Sequence, residues 1–136
     1  MRLRRTSREV NPWLPPGVTQ RNPRAIHANI DTPASGAPEW SDVLNVTGWA
    51  CSRAGVERID LYVDGRLTNR VRPGLHRTDV GDLFPMIADA ALSGFASAMP
   101  VRDLGLGVHQ LHAVVHDRAG NVRALARSIR RLTSDA

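Results

Sequence analysis

The chain has 136 residues, enough for one domain with one modest hydrophobic core. All 18 basic residues are arginine, and the net charge of +5 is concentrated in residues 1–25 and 123–136, while the middle of the chain is mildly acidic. Cys51 is the only cysteine, which excludes an intrachain disulfide, and no apolar run approaches the ~20 residues that span a bilayer.

Residues 1–25 show neither the two-residue period of a strand nor the 3.6-residue period of a helix. Their four prolines exclude a regular helix or a central strand. We therefore predict an extended, polyproline-like arm anchored by Trp13 and Leu14, which either docks on a partner or folds back on its own domain. Residues 1–5 resemble the charged start of a signal peptide, but no apolar stretch follows. We predict no Sec signal, and the compartment stays open.

From residue 26 the sequence changes to short runs in which apolar and polar residues alternate, separated by turn residues, which indicates β-strands. The predicted strands are 26–30, 43–51, 56–63, 66–72, 95–101, 108–117 and 122–132. The last is ambiguous, because Leu125, Ile129 and Leu132 also fit one face of a helix. About seven strands without intervening helices predict an all-β, immunoglobulin-like sandwich over residues 26–132, with a C-terminal tail at 133–136.

Alternation also assigns the two faces of the strands. In 56–63 and 108–117, the side chains predicted to face the core are Ile59, Leu61, Val63, Leu111, Ala113 and Val115. The side chains predicted to point outward from the same strands are Arg58, Asp60, Tyr62, Gln110, His112 and His116.

One tight turn and one short helical turn are also predicted. The dipeptide Asp64-Gly65 lies between two extended runs and favours the positive φ angles of a two-residue hairpin. Asp79 is placed to cap a short helical turn through Asp82, and Pro85 prevents its continuation. We expect Arg77 to pair with Asp79 or Asp82 and so hold this turn.

Several short motifs follow one another in an order typical of a known module. They are Gly48-Trp49-Ala50, Val63-Asp64-Gly65, Arg77-Thr78-Asp79-Val80, Phe84-Pro85, Ser93-Gly94-Phe95, Gly107-Val108-His109-Gln110-Leu111, and Asp117 with Gly120-Asn121. The series resembles the bacterial immunoglobulin-like modules that are appended to glycosyltransferases, methyltransferases and cell-surface enzymes. The resemblance covers about residues 26–132 and implies the sandwich fold without catalytic residues. It implies no particular function, because this type of sandwich hosts many unrelated roles.

The reactive side chains do not form a catalytic or metal-binding pattern. His112 and His116 share a strand face but are roughly 13 Å apart at strand rise, too far to chelate one zinc ion, and His109 faces the opposite side. Ser93 lacks the context of a nucleophile elbow. Cys51 fits a half-buried small apolar residue better than a catalytic thiol. We predict no enzymatic activity, no metal and no cofactor.

Three binding functions remain open. The favoured one is a non-catalytic protein-interaction or assembly module, an accessory subunit that docks through its arm and its sandwich loops. The residues predicted to contact that partner are Trp13, Leu14, Arg4, Arg5, Arg8, Arg21 and Arg24. One alternative is carbohydrate binding by Trp40 and Tyr62, while Trp49 is either a core residue or part of that platform. The other, disfavoured alternative is nucleic-acid binding through the arginine-rich ends.

Overall fold

The computed structural model describes residues 14–39 and 42–132. The strands are β1 (Ile26–Thr32), β2 (Ala37–Glu39), β3 (Val43–Ser52), β4 (Val56–Val63), β5 (Arg66–Val71), β6 (Gly94–Pro100), β7 (Gly107–Asp117) and β8 (Val122–Arg131). One helix, α1 (Thr78–Leu83), lies between β5 and β6, and Pro23–Ala25 and Ala90–Leu92 form short 3-10 helices.

The strands form two sheets, with strand orders β1-β3-β6 and β2-β8-β7-β4-β5. All pairs are antiparallel except β2 with β8. The predicted all-β sandwich of about seven strands with one short helix is thereby confirmed. The structure adds β2, which the alternation did not predict because Ala37–Glu39 contains no β-branched or aromatic residue.

The core lies between the sheets and is built from the positions that alternation assigned to it. Ile59, Leu61 and Leu111 are fully buried there, together with Phe95 of the other sheet. Gly48 makes this packing possible, because a Cβ at that position would lie 2.2 Å from the carbonyl oxygen of Asn29 on β1. The neighbouring Trp49 is half-buried, and its ring centroid lies 5.9 Å from that of Phe84.

The β4–β5 turn has the predicted two-residue geometry. Asp64 and Gly65 have φ angles of 51° and 81°, both in the left-handed region that a type I′ hairpin requires. Aspartate tolerates this region better than most residues, and glycine occupies it without a steric penalty. The turn therefore places β5 beside β4, and β5 is the last strand in the order of this sheet.

The ambiguous last segment is a strand. β8 pairs with β7 along its whole length, from His116 opposite Val122 to Gly107 opposite Arg131. Two arginines of β8 cross to the other sheet. Arg123 Nη1 donates to the carbonyl oxygen of Ile26 at 2.7 Å, and Arg127 Nη2 donates to that of Ile30 at 2.8 Å. These contacts join β8 to β1 along one open side of the sandwich.

The predicted cap of the helical turn was wrong. The helix starts at Thr78, its N-cap is Arg77, and no side chain caps it. Asp79 therefore falls inside the first turn, and it accepts hydrogen bonds from Arg77 Nε at 3.0 Å and Nη2 at 2.8 Å. Arg77 Nη1 also donates to Asp31 at 2.6 Å. The expected pairing of Arg77 is confirmed for Asp79, and Asp31 ties α1 to β1 as well.

Alternation predicted the face of His112 correctly, but the side chain is not exposed on that face. His112 does lie opposite Tyr62 and Ala126, on the face away from the core. Nevertheless its side chain is buried, as is that of Val114 on the same face. A two-residue period reports which side a residue takes, and it does not report whether that side is covered. Asp60, also assigned outward, is buried on this face too.

Candidate functional site: an arginine corner on the outer face

Residues 14–25 lie against the five-stranded sheet. The Cδ atom of Pro16 is 3.2 Å from the position that a Cβ on Gly65 would take. Further on, Gln20 Oε1 accepts the backbone N–H of Ala124 at 2.9 Å, and Arg21 pairs with Val122 through two backbone hydrogen bonds. These contacts lie at the β4–β5 turn and near the start of β8, so residues 14–20 touch the sheet at two of its strands. We call residues 14–20 the strap.

A buried carboxylate organises the remainder of this face. Asp60 of β4 is only 2% exposed, yet it lies on the side of the sheet opposite the core. Its Oδ1 accepts hydrogen bonds from Nε of Arg58 at 3.2 Å and from Nε of Arg70 at 3.0 Å. His116 Nε2 lies 3.5 Å from the second oxygen, Oδ2. A buried carboxylate needs such partners, because desolvation without them is costly.

A β-bulge brings Arg70 to Asp60. Near the turn, Val63 lies opposite Arg66 and Tyr62 lies opposite Leu67. If this register continued along the two strands, Asn69 would lie opposite Asp60. The register shifts by one residue after Tyr62, so that Asp60 lies opposite Arg70 instead. One extra residue on β5 therefore exchanges a neutral partner for a cationic one.

An open cleft of about 500 Å³ lies beside this ion pair. Its walls are formed by Glu57, Arg58, Arg70, Val71 and Arg72. We call Arg58, Arg70 and Arg72 the arginine corner. Arg70 keeps 60% of its side chain exposed although Asp60 holds its Nε, and Arg58 keeps 33%. Each guanidinium is therefore held at its Nε atom, while its side chain stays partly exposed and lines the cleft.

His116 is the titratable neighbour of the arginine corner. Burial lowers its pKa below the ordinary histidine value, and the positive charge of Arg58 lowers it further, while Asp60 and Glu57 oppose this. The imidazole is therefore neutral at pH 7. With His116 neutral, the three arginines of the corner exceed the two carboxylates of Asp60 and Glu57 by one charge. The cleft can accept one more negative group without accumulating negative charge.

A larger open pocket, of about 690 Å³, adjoins the cleft and shares Glu57 and Arg72 with it. Its floor includes Cys51 and Val56, and its rim carries Asp89, Leu92 and Arg118. Burial raises the pKa of the Cys51 thiol to about 11. The thiol is accordingly protonated at neutral pH, and this pocket offers no thiolate nucleophile.

The structure separates the residues that the sequence suggested as binding sites. Trp13, Arg4, Arg5, Arg8 and Trp40 lie outside the described residues. Leu14 is half-buried in the strap, and Arg21 and Arg24 have exposed side chains next to the start of β8. Tyr62 is half-buried between Leu67 and His112. Of these residues, only Tyr62 is close to the arginine corner, because it lies two residues after Asp60 on the same face of β4. The binding roles of all these residues remain predictions.

Solved structures resemble this sandwich, although no protein-family model and no curated protein matches the sequence. The fibronectin(III)-like modules of Clostridium thermocellum CbhA match with a TM-score of 0.54 and 13% identity, over 77% of this chain and 94% of that one. The endo-beta-1,4-mannanase from Thermotoga petrophila matches with a TM-score of 0.55 and 8% identity, over 80% of this chain and 20% of the enzyme. The immunoglobulin-like, fibronectin-III-like fold is thus shown. Attachment to an enzyme remains a prediction.

Within residues 14–39 and 42–132, no three His, Cys, Asp or Glu side chains are grouped so that they could hold a metal ion. No helix in those ranges is long and apolar enough to cross a membrane. The guanidinium groups of the arginine corner can form ion pairs and hydrogen bonds with anionic groups.

Proposed function

We propose that the protein is a non-catalytic interaction module that docks on another protein through the arginine corner. The observation that carries this proposal is the Asp60 ion pair. The buried carboxylate of Asp60 holds two arginine side chains by their Nε atoms on a sheet face away from the core. Arginine fixed in this way loses less side-chain entropy on binding than a free side chain, which favours its use as an interface anchor.

The surroundings of the corner support a protein partner. Leu67, in the next row of the same face, is 43% exposed, and Val71 lines the cleft. Protein interfaces are enriched in arginine beside apolar side chains, whereas lysine and acidic residues are depleted. The similarity to fibronectin(III)-like modules also agrees with a module that has no active site of its own, although fold alone does not determine function.

Carbohydrate binding remains the alternative that the sequence suggested for Trp40 and Tyr62. Sugar recognition usually needs an exposed aromatic face on which the ring can stack. Tyr62 is half-buried in the middle of the outer face, and the cleft walls are charged rather than aromatic. The arginine corner therefore supports a protein partner better than a sugar.

Quantitative affinity purification from the source organism tests the proposal. We expect a stoichiometric partner with the wild-type chain and its loss with the Arg70→Ala/Arg72→Ala variant. Arg102→Ala is the matched control, because Arg102 is an exposed arginine in the loop after β6 and does not line the cleft. Equal recovery of the partner with all three chains would contradict docking at the corner.

A further inference from the structure

We propose that the arginine corner recognises side-chain carboxylates of an extended acidic segment of the partner, which lies along the edge strand β5. This inference rests on the proposed function and adds the chemistry of the partner. Synthetic ligands test the carboxylate chemistry separately, so that a failure of this inference can be distinguished from a failure of the docking proposal.

Donor groups are available on the two exposed arginines of the corner. Arg70 donates through Nε to Asp60, and among the described residues no partner engages its two Nη atoms. Arg72 follows the end of β5, is exposed, and lines the same cleft without a described side-chain partner. A guanidinium presents its donors in a planar fork that matches a carboxylate, and such charge-assisted bonds are among the strongest in proteins.

Charge balance favours an incoming carboxylate. Arg58, Arg70 and Arg72 face Asp60 and Glu57, which leaves one positive charge uncompensated while His116 is neutral. The presence of Glu57 in the cleft wall argues against a run of closely spaced phosphates, because each phosphate would approach that carboxylate. An acidic peptide places its side chains singly, and alternate residues of an extended segment point to the same side.

The position of β5 suits an extended ligand. β5 is the last strand of the five-stranded sheet, and most of its residues are exposed. Arg70 and Arg72 are two residues apart along this edge. An extended segment beside β5 has the same two-residue spacing, so its alternate side chains can reach the cleft, where one carboxylate balances the uncompensated positive charge.

The probe is a fluorescein-labelled peptide of alternating Glu and Ser, with an alternating Gln and Ser peptide as its neutral match. Binding to the full chain is measured by fluorescence anisotropy at low salt. We expect the Glu peptide to bind and the Gln peptide not to bind. Arg72→Gln leaves both Asp60 pairs intact and should weaken binding at least about tenfold, the effect of losing one hydrogen bond to a charged group. Arg102→Gln should change the dissociation constant of the Glu peptide by less than about twofold.

A second readout separates a binding role from a structural one. The His116 ring is followed by NMR during a pH titration with and without the Glu peptide. A carboxylate bound at the corner should raise the pKa of His116 relative to the free protein. Arg72→Gln should abolish this rise, while the NMR spectrum of the free variant should remain that of a folded protein. Melting curves of both variants confirm that they fold.

Three results would overturn the inference. If Arg72→Gln and Arg102→Gln weaken binding of the Glu peptide equally, the peptide is attracted only by the net charge of the protein. Tighter binding of a dT12 oligonucleotide than of the Glu peptide through the same arginines would assign the corner to phosphates. Absence of peptide binding, in a chain whose partner is still lost with Arg70→Ala/Arg72→Ala, would refute the carboxylate chemistry while docking at the corner stands.

Discussion

His109 and Asp64 are 45 residues apart in sequence, yet Nδ1 of the histidine lies 2.5 Å from Oδ2 of the aspartate. The other ring nitrogen, Nε2, lies 2.6 Å from the carbonyl oxygen of Gly105. Both partners are acceptors, so both ring nitrogens can donate only when the imidazole is protonated. The pair joins the β4–β5 turn to β7, and both hydrogen bonds can form together only when the ring is protonated.

This geometry predicts a stability contribution that weakens at alkaline pH. Burial by itself would lower the pKa of His109, but the hydrogen bonds to Asp64 and Gly105 outweigh it, and the pKa is raised. The contribution is complete below the ordinary histidine pKa of about 6.5 and is lost as the pH rises through the raised value. We expect urea unfolding to show a larger loss for His109→Gln at pH 5.5 than at pH 8.5. The exposed His76→Gln is the control, and an equal loss at both pH values would show that His109 is not charged.

His112 predicts the opposite pH signature. Its ring is buried, and among the described residues neither nitrogen has a hydrogen-bond partner. Burial lowers its pKa, so protonation of this histidine carries no penalty above about pH 6.5, and the folded state is destabilised further as the pH falls towards the lowered value.

Replacing this ring should therefore stabilise the protein. We expect His112→Leu to raise the free energy of unfolding by about 1–3 kcal/mol at pH 7, because an unsatisfied buried polar group is removed, and to gain more at pH 5.5. His76→Leu, at an exposed histidine, should stay within about 0.5 kcal/mol. A destabilised His112→Leu would indicate that the ring has a partner in the folded protein.

The contrast between Leu111 and His112 shows what alternation can predict. A strand reverses its side chains at every residue, so the inward positions Leu111, Ala113 and Val115 follow from the sequence pattern. Whether the opposite face is covered depends on the rest of the fold, which alternation within one strand does not report. The strap contacts this sheet near Gly65 and through Ala124, and Arg21, which follows the strap, pairs with Val122. No local sequence pattern predicts these contacts.

Arg127 should contribute measurably to stability through its bond to β1. Its Nη2 donates to Ile30 at 2.8 Å and to Asn29 Oδ1 at 3.2 Å. We expect Arg127→Met, which keeps the apolar stem, to lower the free energy of unfolding by about 1.5–3 kcal/mol in urea titrations, the range for hydrogen bonds to charged groups. Arg130→Met, an exposed arginine on the same strand, should change it by less than about 0.5 kcal/mol. Equal effects of the two substitutions would refute the bridging role.

Asp60 should be more important for stability than its acidic neighbour in the cleft. Asp60→Asn keeps the size of the side chain but leaves Arg58 and Arg70 without their carboxylate. We expect a loss of about 1–3 kcal/mol in thermal or urea unfolding, below the value for a fully buried pair because both arginines are partly exposed. Glu57→Gln, at an exposed side chain 3.6 Å from Arg58, should cost less than about 0.5 kcal/mol. A smaller loss for Asp60→Asn than for Glu57→Gln would contradict the central place of Asp60.

The arginine corner shows where prediction from the sequence ends. Alternation placed Arg58, Asp60 and Tyr62 on one face, and the Asp64-Gly65 turn indicated that β5 returns beside β4. A regular two-residue hairpin would put Asn69 opposite Asp60, and the bulge puts Arg70 there instead. Bulges depend on packing across the whole sheet, so the cluster emerges only in three dimensions.

Hydrogen–deuterium exchange on the protein with its co-purified partner tests docking at the arginine corner most directly. The exposed edge of β5 should exchange quickly in the free chain and become protected in the complex, so we expect the largest slowing in residues 66–73. The amides of 102–106, a loop outside the cleft, serve as the internal reference. Protection confined to residues 1–25, with 66–73 unchanged, would show that the N-terminal arm makes the contact and that the arginine corner does not.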